Sequence, residues 1–314
     1  MKKYAAVLCA LTAVAVLLVT YQMVGRPRGL PVKIRIATGG ESGVYHAYGD
    51  ALADALERQM NVTVTAIPSG GSVDNIHLLR NGRAELAFVQ NDIMTYAYNG
   101  TNLFSTEGAF KDFFAVAALY PETCQIVARR GIDGITELKG RRVSVGHEGS
   151  GTELNALQIL EAYNMSYSDI EVDHLSFAAS VAAFKEGRID AFFCTAGVPT
   201  PAIRELSAGG EARILNVGDA HAHSLISVYP YYSRQTIPAG AYPKIGDEAE
   251  TVAVKATLVA SGSLDKEVVA EIVKILFESE EVAKVSPSGK IDRESAVEGV
   301  LIPLHPAAEA FFRK

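Results

Sequence analysis

The chain has 314 residues, a formal net charge of −7 and 48% hydrophobic residues. A chain of this length exceeds the size at which one hydrophobic core usually stops growing, so we expect two lobes. The negative charge and the lack of a Lys/Arg cluster in the sequence argue against a nucleic-acid partner, because such binding needs a basic surface.

The N-terminal segment is typical of an export signal. Lys2 and Lys3 precede an apolar run that ends near Val24, and a charged start followed by an apolar stretch directs secretion. The run approaches the ~20 residues that span a bilayer, and no small-residue cleavage site follows it. Residues 1–30 are therefore either a signal peptide or an uncleaved membrane anchor, and both alternatives place the remaining chain in the periplasm.

Strands and helices alternate from residue 33 onward. KIRIA predicts a short buried strand, and Tyr45, Tyr48 and Leu52 then recur at the spacing of an amphipathic helix. VTVTAI predicts a second strand, Ser72 can cap the helix VDNIHLLRN, and AELAFVQ predicts a third strand. This order is typical of an α/β fold with a parallel sheet covered on both faces.

The same order returns further along the chain. RRVSV predicts a strand, GHEGSG a loop and TELNALQILEAY a helix, and then VDHLSF, AASVAAFKEG and RIDAFFCTAG predict a strand, a helix and a strand. The joins LLRNGRAELAFVQ and AAFKEGRIDAFFCT also resemble each other. The sequence therefore predicts two lobes of like architecture.

The lobes are predicted to be discontinuous in the sequence. AVAALYPETCQIVARR is a strand-like run that Tyr120 to Thr123 interrupt, and we place the first crossing there. The return is placed near ARILNVGDAHAHS. Lobe I is then residues 33–120 plus 216–314 and lobe II is residues 121–215, with a ligand cleft and a hinge between them.

Each lobe is predicted to place a glycine-rich loop between a strand and a helix, TGGESG in the first and GHEGSG in the second. Such a loop presents free backbone N–H groups and the positive end of a helix dipole, which bind an anion without a charged side chain. Two such loops facing each other across a cleft predict a small ligand that carries a carboxylate or a phosphate.

Motifs for catalysis and for cofactors are not found in the sequence. It has no GxxxxGK[ST], GxGxxG, GxSxG or HExxH pattern, so we predict no enzyme activity, no cofactor and no metal site. His147 and Glu148 stand beside Ser150, but no third partner of a hydrolase site is recognisable. Cys124 and Cys194 are either two buried thiols or a disulfide in an oxidising compartment.

Four blocks carry a resemblance to a known family. They are ATGGESGVYHAYGDALA; SGGSVDNIHLLRNGRAELAFVQND; VGHEGSGTELNALQIL with SFAASVAAFKEGRIDAFFCTAGVP; and YPYYSRQTIPAGAYP with IPLHPAAEAFF. In these blocks the chain resembles the TAXI group of TRAP-transporter substrate-binding proteins. It departs from the group at His46, where a second aromatic residue is expected, and at Ala307, where glycine is usual.

The resemblance implies a periplasmic-binding fold of two α/β lobes and a receptor function. The ligand would be a small carboxylate or amino acid, glutamate- or glutamine-like, delivered to the membrane subunits of a TRAP permease by a monomeric protein. An alternative use of the same fold is a ligand-sensing partner of a membrane signalling kinase.

The resemblance also implies the ligand-binding residues. Backbone groups of the two loops would hold anionic groups, Ser72 would reach the cleft or only cap its helix, and Asp92 would meet a ligand ammonium or only cap the next helix. Glu41 would point outward or meet a ligand amine. The full set is Gly40, Gly43, Tyr45, Ser72, Asn75, Gln90, Asp92, Ser150, Gly151, Thr152, Thr195 and Gly197.

Overall fold

The computed structural model describes residues 32–313, so the predicted signal peptide or membrane anchor lies outside the described residues. Within this range ten strands form one sheet. They are β1 (Val32–Ala37), β2 (Val62–Ile67), β3 (Leu86–Gln90), β4 (Phe113–Arg129), β5 (Arg142–Ser144), β6 (Glu171–Asp173), β7 (Ala191–Ala196), β8 (Ala212–Leu215), β9 (Ser233–Ile237) and β10 (Ala249–Ser261).

The α-helices of the described range lie between these strands and after β10. They are α1 (Val44–Gln59), α2 (Ser72–Arg80), α3 (Asn91–Asn99), α4 (Gly151–Ala162), α5 (Phe177–Lys185), α6 (Pro201–Ser207), α7 (Asp219–Val228), α8 (Lys266–Glu278), α9 (Glu280–Val285) and α10 (Pro306–Phe312). Between residues 32 and 313, no helix has both the length and the apolar character needed to cross a membrane.

The sheet consists of two parallel parts joined by two long strands. β1 pairs in parallel with β2 and β3, and β5 pairs in parallel with β6 and β7. β4 and β10 are antiparallel to each other and run from one part into the other. The resulting order is β2-β1-β3-β10-β4-β7-β5-β6, with β8 beside β4 and β9 beside β10. The predicted α/β class and the parallel strands in each lobe are confirmed.

Each part of the sheet has its own hydrophobic cores, and these define the lobes. Tyr120 of β4 and Ala256 of β10 belong to a core of the first lobe, whereas Cys124 and Val254 belong to a core of the second. Both long strands therefore cross between the lobes within a few residues of Tyr120. These two crossings are backbone connections between the lobes.

The return to the first lobe lies later in the chain than residue 216. Val217, Leu225 and Tyr232 pack into a core of the second lobe, and Tyr242 packs into the other core of that lobe. β9 pairs with the first half of β10, so this segment stays with the second lobe until β10 carries the chain back. The return differs from the one predicted near Ile214 because the segment after β8 adds a further helix and strand to the second lobe.

The Tyr120 to Thr123 segment does not interrupt β4. Pro121 lies opposite Lys255 of β10, and β10 has register shifts nearby, after Ala256 and after Leu258. Such irregularities accommodate a proline, which cannot donate a ladder hydrogen bond.

The two cysteines of the described chain are free and buried. Thr195 lies opposite Cys124 in the β4–β7 pair, so Cys194 is one residue out of register and its side chain points to the other face of the sheet. Of the two alternatives left by the sequence, the structure has the buried thiols.

Candidate ligand-binding site

A cavity of about 80 Å³ lies between the two lobes. It is smaller than the roughly 300–1,000 Å³ of pockets that hold drug-sized ligands, so it suits a compact molecule. Its walls come from loops and helix starts of both lobes. The lining residues are Gly39, Gly40, Ser42, Gly43, Val44, Tyr45, Ser69, Gly70, Gly71, Ser72, Gln90, Glu122, His147, Ser150, Gly151, Thr152, Ser176, Phe177, Thr195 and Ala196.

The starts of four helices in the described chain line this cavity. From the first lobe, α1 follows its N-cap Gly43 and α2 follows its N-cap Gly71. From the second lobe, α4 follows Ser150 and α5 follows Ser176. The first N–H groups of a helix have no partner within the helix, and the helix dipole makes this end positive. The cavity is therefore surrounded by four helix N-termini, each of which carries a partial positive charge.

The two serine N-caps show how the sequence fixes the second lobe's helix starts. The Ser150 Oγ accepts a hydrogen bond from the Glu153 N–H at 3.2 Å, and the Ser176 Oγ accepts one from the Ala179 N–H at 3.3 Å. Each bond satisfies one free donor of the first turn. Both serines line the cavity.

Glycines allow the lobes to approach closely at the cavity. A Cβ at Gly151 would overlap the Gln90 side chain of the first lobe, and a Cβ at Gly71 would lie 3.3 Å from the Ser150 Cβ. Gly71 also has a φ of +127°, which side-chain-bearing residues rarely adopt. The two lobes are therefore in direct contact across the cleft, as expected of a closed form.

A buried carboxyl group, Glu122, lies in the wall of the cavity. It is 3% exposed, and its Oε2 accepts a hydrogen bond of 2.5 Å from the Tyr45 hydroxyl. Burial raises the pKa of Glu122 to about 8, and the Tyr45 hydrogen bond opposes this shift. Tyr45 is itself held in place by stacking on Phe88, with the ring centres 5.4 Å apart.

Gln90 and Ser72 connect the end of β3 to the start of α2. The Gln90 N–H donates to the Ser72 Oγ at 3.1 Å. Ser72 does not cap its helix, since Gly71 occupies the N-cap position, and its side chain instead lies at the cavity wall. The Gln90 Oε1 is buried and accepts no hydrogen bond from any described residue.

Nine of the residues proposed from the sequence line the cavity together. They are Gly40, Gly43, Tyr45, Ser72, Gln90, Ser150, Gly151, Thr152 and Thr195. Glu41 is exposed and does not line it.

Asn75 and Gly197 lie outside the cavity lining. The Asn75 Nδ2 donates to the Phe88 carbonyl at 2.7 Å and its Oδ1 accepts from Ser69 at 2.7 Å, so this side chain ties the first lobe's strand ends together. Gly197 packs so closely against Pro287 that a Cβ would overlap the proline ring.

Asp92 also lies outside the lining. Its Oδ1 accepts from the Ile93 N–H at 2.7 Å and its Oδ2 accepts from the Asn155 Nδ2 at 3.2 Å. Burial raises the pKa of Asp92 to about 6, and these hydrogen bonds oppose the shift. Asp92 therefore links the first turn of α3 to α4 of the other lobe, and does not offer its carboxylate to the cavity.

Sequence reasoning missed Glu122, Ser176 and Phe177. The sequence pattern places Glu122 in a break between two strands. A single carboxylate in an otherwise apolar run is nevertheless a signal of a buried functional group, and this signal could have identified Glu122. Ser176 precedes a helix as Ser150 does, which could have marked a further helix start at the site.

Solved structures with the same fold are distantly related in sequence. PhnD1 from Prochlorococcus marinus, in complex with methylphosphonate, has a TM-score of 0.54 at 13% identity and covers 81% of this chain and 89% of its own. The ligand-binding component of an ABC-type import system from Staphylococcus aureus has a TM-score of 0.51 at 15% identity over 90% and 89%. The alkanesulfonate-binding protein SsuA from Xanthomonas axonopodis pv. citri, bound to MOPS, has a TM-score of 0.50 at 16% identity over 90% and 84%.

These similarities establish the fold as that of periplasmic binding proteins, with a mixed α/β sheet and flanking helices. The family assignment comes from the sequence itself. The model of the NMT1-like family matches residues 36–314, and the chain belongs to that family.

Proposed function

We propose that this protein is a periplasmic substrate-binding receptor that closes on a small anionic solute and delivers it to a membrane transporter. The observation that carries the proposal is the convergence of four helix starts, two from each lobe, on one cavity. A helix start binds an anion through backbone N–H groups. Contributions from both lobes make the ligand the link that holds the lobes closed.

The lack of Lys and Arg side chains in the described cavity wall favours binding of the anion by backbone N–H groups. Between residues 32 and 313, no Lys or Arg side chain lines the cavity. With a net charge of −7 the whole protein repels anions, so the attraction has to come from local dipoles and hydroxyl groups. Ser150, Thr152 and Thr195 supply such hydroxyls at the second lobe's edge.

The transporter and ligand are proposed from the sequence blocks. The TAXI resemblance favours a TRAP-type permease and a small carboxylate or amino acid, such as a glutamate- or glutamine-like molecule. PhnD1 and SsuA have the same fold and hold methylphosphonate and MOPS, which are also anionic. The property common to these ligands is a compact acid, and the proposal requires binding and closure but no catalytic step.

Calorimetry with a panel of small acids tests the receptor function. The panel contains L-glutamate, L-glutamine, 2-oxoglutarate and methylphosphonate, with a neutral sugar as the negative control. We expect stoichiometric binding of at least one acid and none of the sugar. A protein that is folded by its thermal transition and binds no acid of the panel at millimolar concentration would contradict the proposal.

A further inference from the structure

We propose that Glu122 selects the ligand by charge. The cavity takes a ligand with an ammonium group beside the ionised Glu122 carboxylate, and takes an anion without such a group only after Glu122 gains a proton from solvent. The inference rests on the proposed receptor function and adds the residue that distinguishes amino acids from other small acids.

Glu122 lies in the wall of the cavity, where the chain crosses from one lobe to the other. It belongs to β4 and is 3% exposed. Its one hydrogen-bond donor among the described residues is the Tyr45 hydroxyl, whereas an ionised carboxylate offers about four acceptor positions. The remaining positions are available to a donor in the cavity.

Gln90 provides a second acceptor at the same cavity. Its side chain lines the cavity, and its Oε1 is buried beside Gly151 and has no hydrogen-bond partner in the described chain. A buried acceptor without a partner is costly, so a donor from the ligand would stabilise it. An ammonium group carries three N–H donors, which suits a wall with Gln90 and Glu122.

No Lys or Arg side chain of the described residues lines the cavity beside Glu122. Lys255 lies on the facing strand but pairs with Glu298, and Asp92 is close enough to raise the pKa of Glu122 further. The other titratable groups around it are Tyr45 of α1, Tyr120 and Cys124 of β4, Cys194 of β7 and His147 of the second glycine loop. An ionised carboxylate in this surrounding is stable only beside a cation from the ligand.

The two classes of ligand therefore differ in proton linkage. When an anion without a cation closes the cavity, burial holds the pKa of Glu122 near 8, and the group takes up a proton at any pH between about 4.5 and 8. The affinity then falls as pH rises, by up to about tenfold per pH unit. An ammonium group lowers the pKa again, so an amino acid binds without proton uptake and with nearly constant affinity over this range.

Calorimetry of L-glutamate and 2-oxoglutarate tests this on the unmodified protein. Titrations at pH 6, 7 and 8 are done in two buffers of different ionisation enthalpy, so the number of protons exchanged is measured directly. We expect 2-oxoglutarate binding to take up close to one proton more than L-glutamate binding at pH 6 and 7, and about half a proton more at pH 8, because the pKa of Glu122 lies near 8. Equal proton exchange and equal pH profiles for the two ligands would overturn the charge selection.

Glu122→Gln keeps the size of the side chain and removes its charge. We expect the affinity for L-glutamate to fall on the order of 100-fold, and the affinity for 2-oxoglutarate to become independent of pH. Asp92→Asn is the matched control, because Asp92 is also a buried carboxylate with a raised pKa but does not line the cavity. The control should change the ratio of the two affinities far less than Glu122→Gln does, because Asp92 only adds to the burial that raises the pKa of Glu122.

The outcomes separate this inference from the receptor function. If no acid binds the unmodified protein, the receptor function fails and the charge selection fails with it. If acids bind but Glu122→Gln weakens both ligands equally, the receptor function stands and the role of Glu122 is overturned. Thermal melting of each variant shows whether it is folded, and the proton count on the unmodified protein is decisive without any variant.

Discussion

Gly43 occupies a position where a side chain would obstruct ligand binding without straining the backbone. Its φ of −99° and ψ of 168° are extended values that any residue adopts. A Cβ would lie 3.2 Å from the Gly40 carbonyl and 3.8 Å from the Phe177 ring of the other lobe. We expect Gly43→Val to melt within a few degrees of the unmodified protein and to lose detectable ligand binding in calorimetry.

Gly134→Val is the control for this substitution. Gly134 lies in the second lobe with a φ of −153°, and a Cβ added there would meet no described atom within 4 Å. This variant should bind with unchanged affinity. Normal binding by a folded Gly43→Val protein would remove the first glycine loop from the site.

The residues of this site differ in how far the sequence predicts their roles. The glycine loops were recognisable because a loop between a strand and a helix has a characteristic composition. The role of Glu122 was not recognisable from the sequence. It depends on β4 continuing through Pro121, which places the Glu122 carboxylate beside the Tyr45 hydroxyl. The choice between a ligand-binding and a structural Asp92 depended on the direction of one side chain, which spacing along the chain does not determine.

At the scale of elements, α3 and α4 connect the lobes in the closed form. The Asn155 Nδ2 on α4 donates to the Asp92 Oδ2 at the start of α3 and to the Tyr232 hydroxyl at 2.7 Å. The Tyr232 hydroxyl in turn donates to the Gln158 Oε1 at 2.6 Å. This buried network can form fully only when α4 meets the first lobe, so it stabilises closure for any ligand.

Asn155→Ala removes the donor that joins the two helices. We expect the affinity to fall by about 1–2 kcal/mol for every ligand alike, since one buried hydrogen bond is lost and its partners are left unsatisfied. Calorimetry with two ligands of different charge provides the measurement. A loss confined to one ligand would mean that Asn155 acts on the ligand itself and not on closure.

The sequence predicts the order of the strands and helices, but it predicts only part of their assignment to the two lobes. Alternating strands and helices indicated the parallel parts of the sheet, because apolar periodicity reports local structure. The segment from α7 to β9 is predicted in the first lobe, although its apolar residues pack in the second. Periodicity shows which face of an element is buried, but not against which core it packs.

At the scale of the whole molecule, closure without a ligand should depend on pH. Burial raises the pKa of Glu122 to about 8 in the described structure, and we expect a cleft open to solvent to return this pKa toward its ordinary value. Closing then takes up a proton, so low pH favours the closed form and its advantage is lost as pH rises toward 8. Small-angle scattering of the ligand-free protein should show a smaller radius of gyration at a pH of about 5.5 than at about 8.5, on either side of this window.

Glu122→Gln provides the control for this effect. Its side chain does not titrate, so the difference in radius between the two pH values should become much smaller while the fold is kept, with Asp92 contributing only near the lower pH. A radius that changes with pH equally in both proteins would assign the effect to other groups.

Small-angle scattering with and without a saturating ligand tests the central claim, that the two lobes close on a small anion. The measurement uses the acid that binds most tightly in calorimetry, at a concentration well above its Kd. The account predicts a smaller radius of gyration in the complex, because the ligand joins helix starts of both lobes. An unchanged radius at confirmed saturation would contradict it.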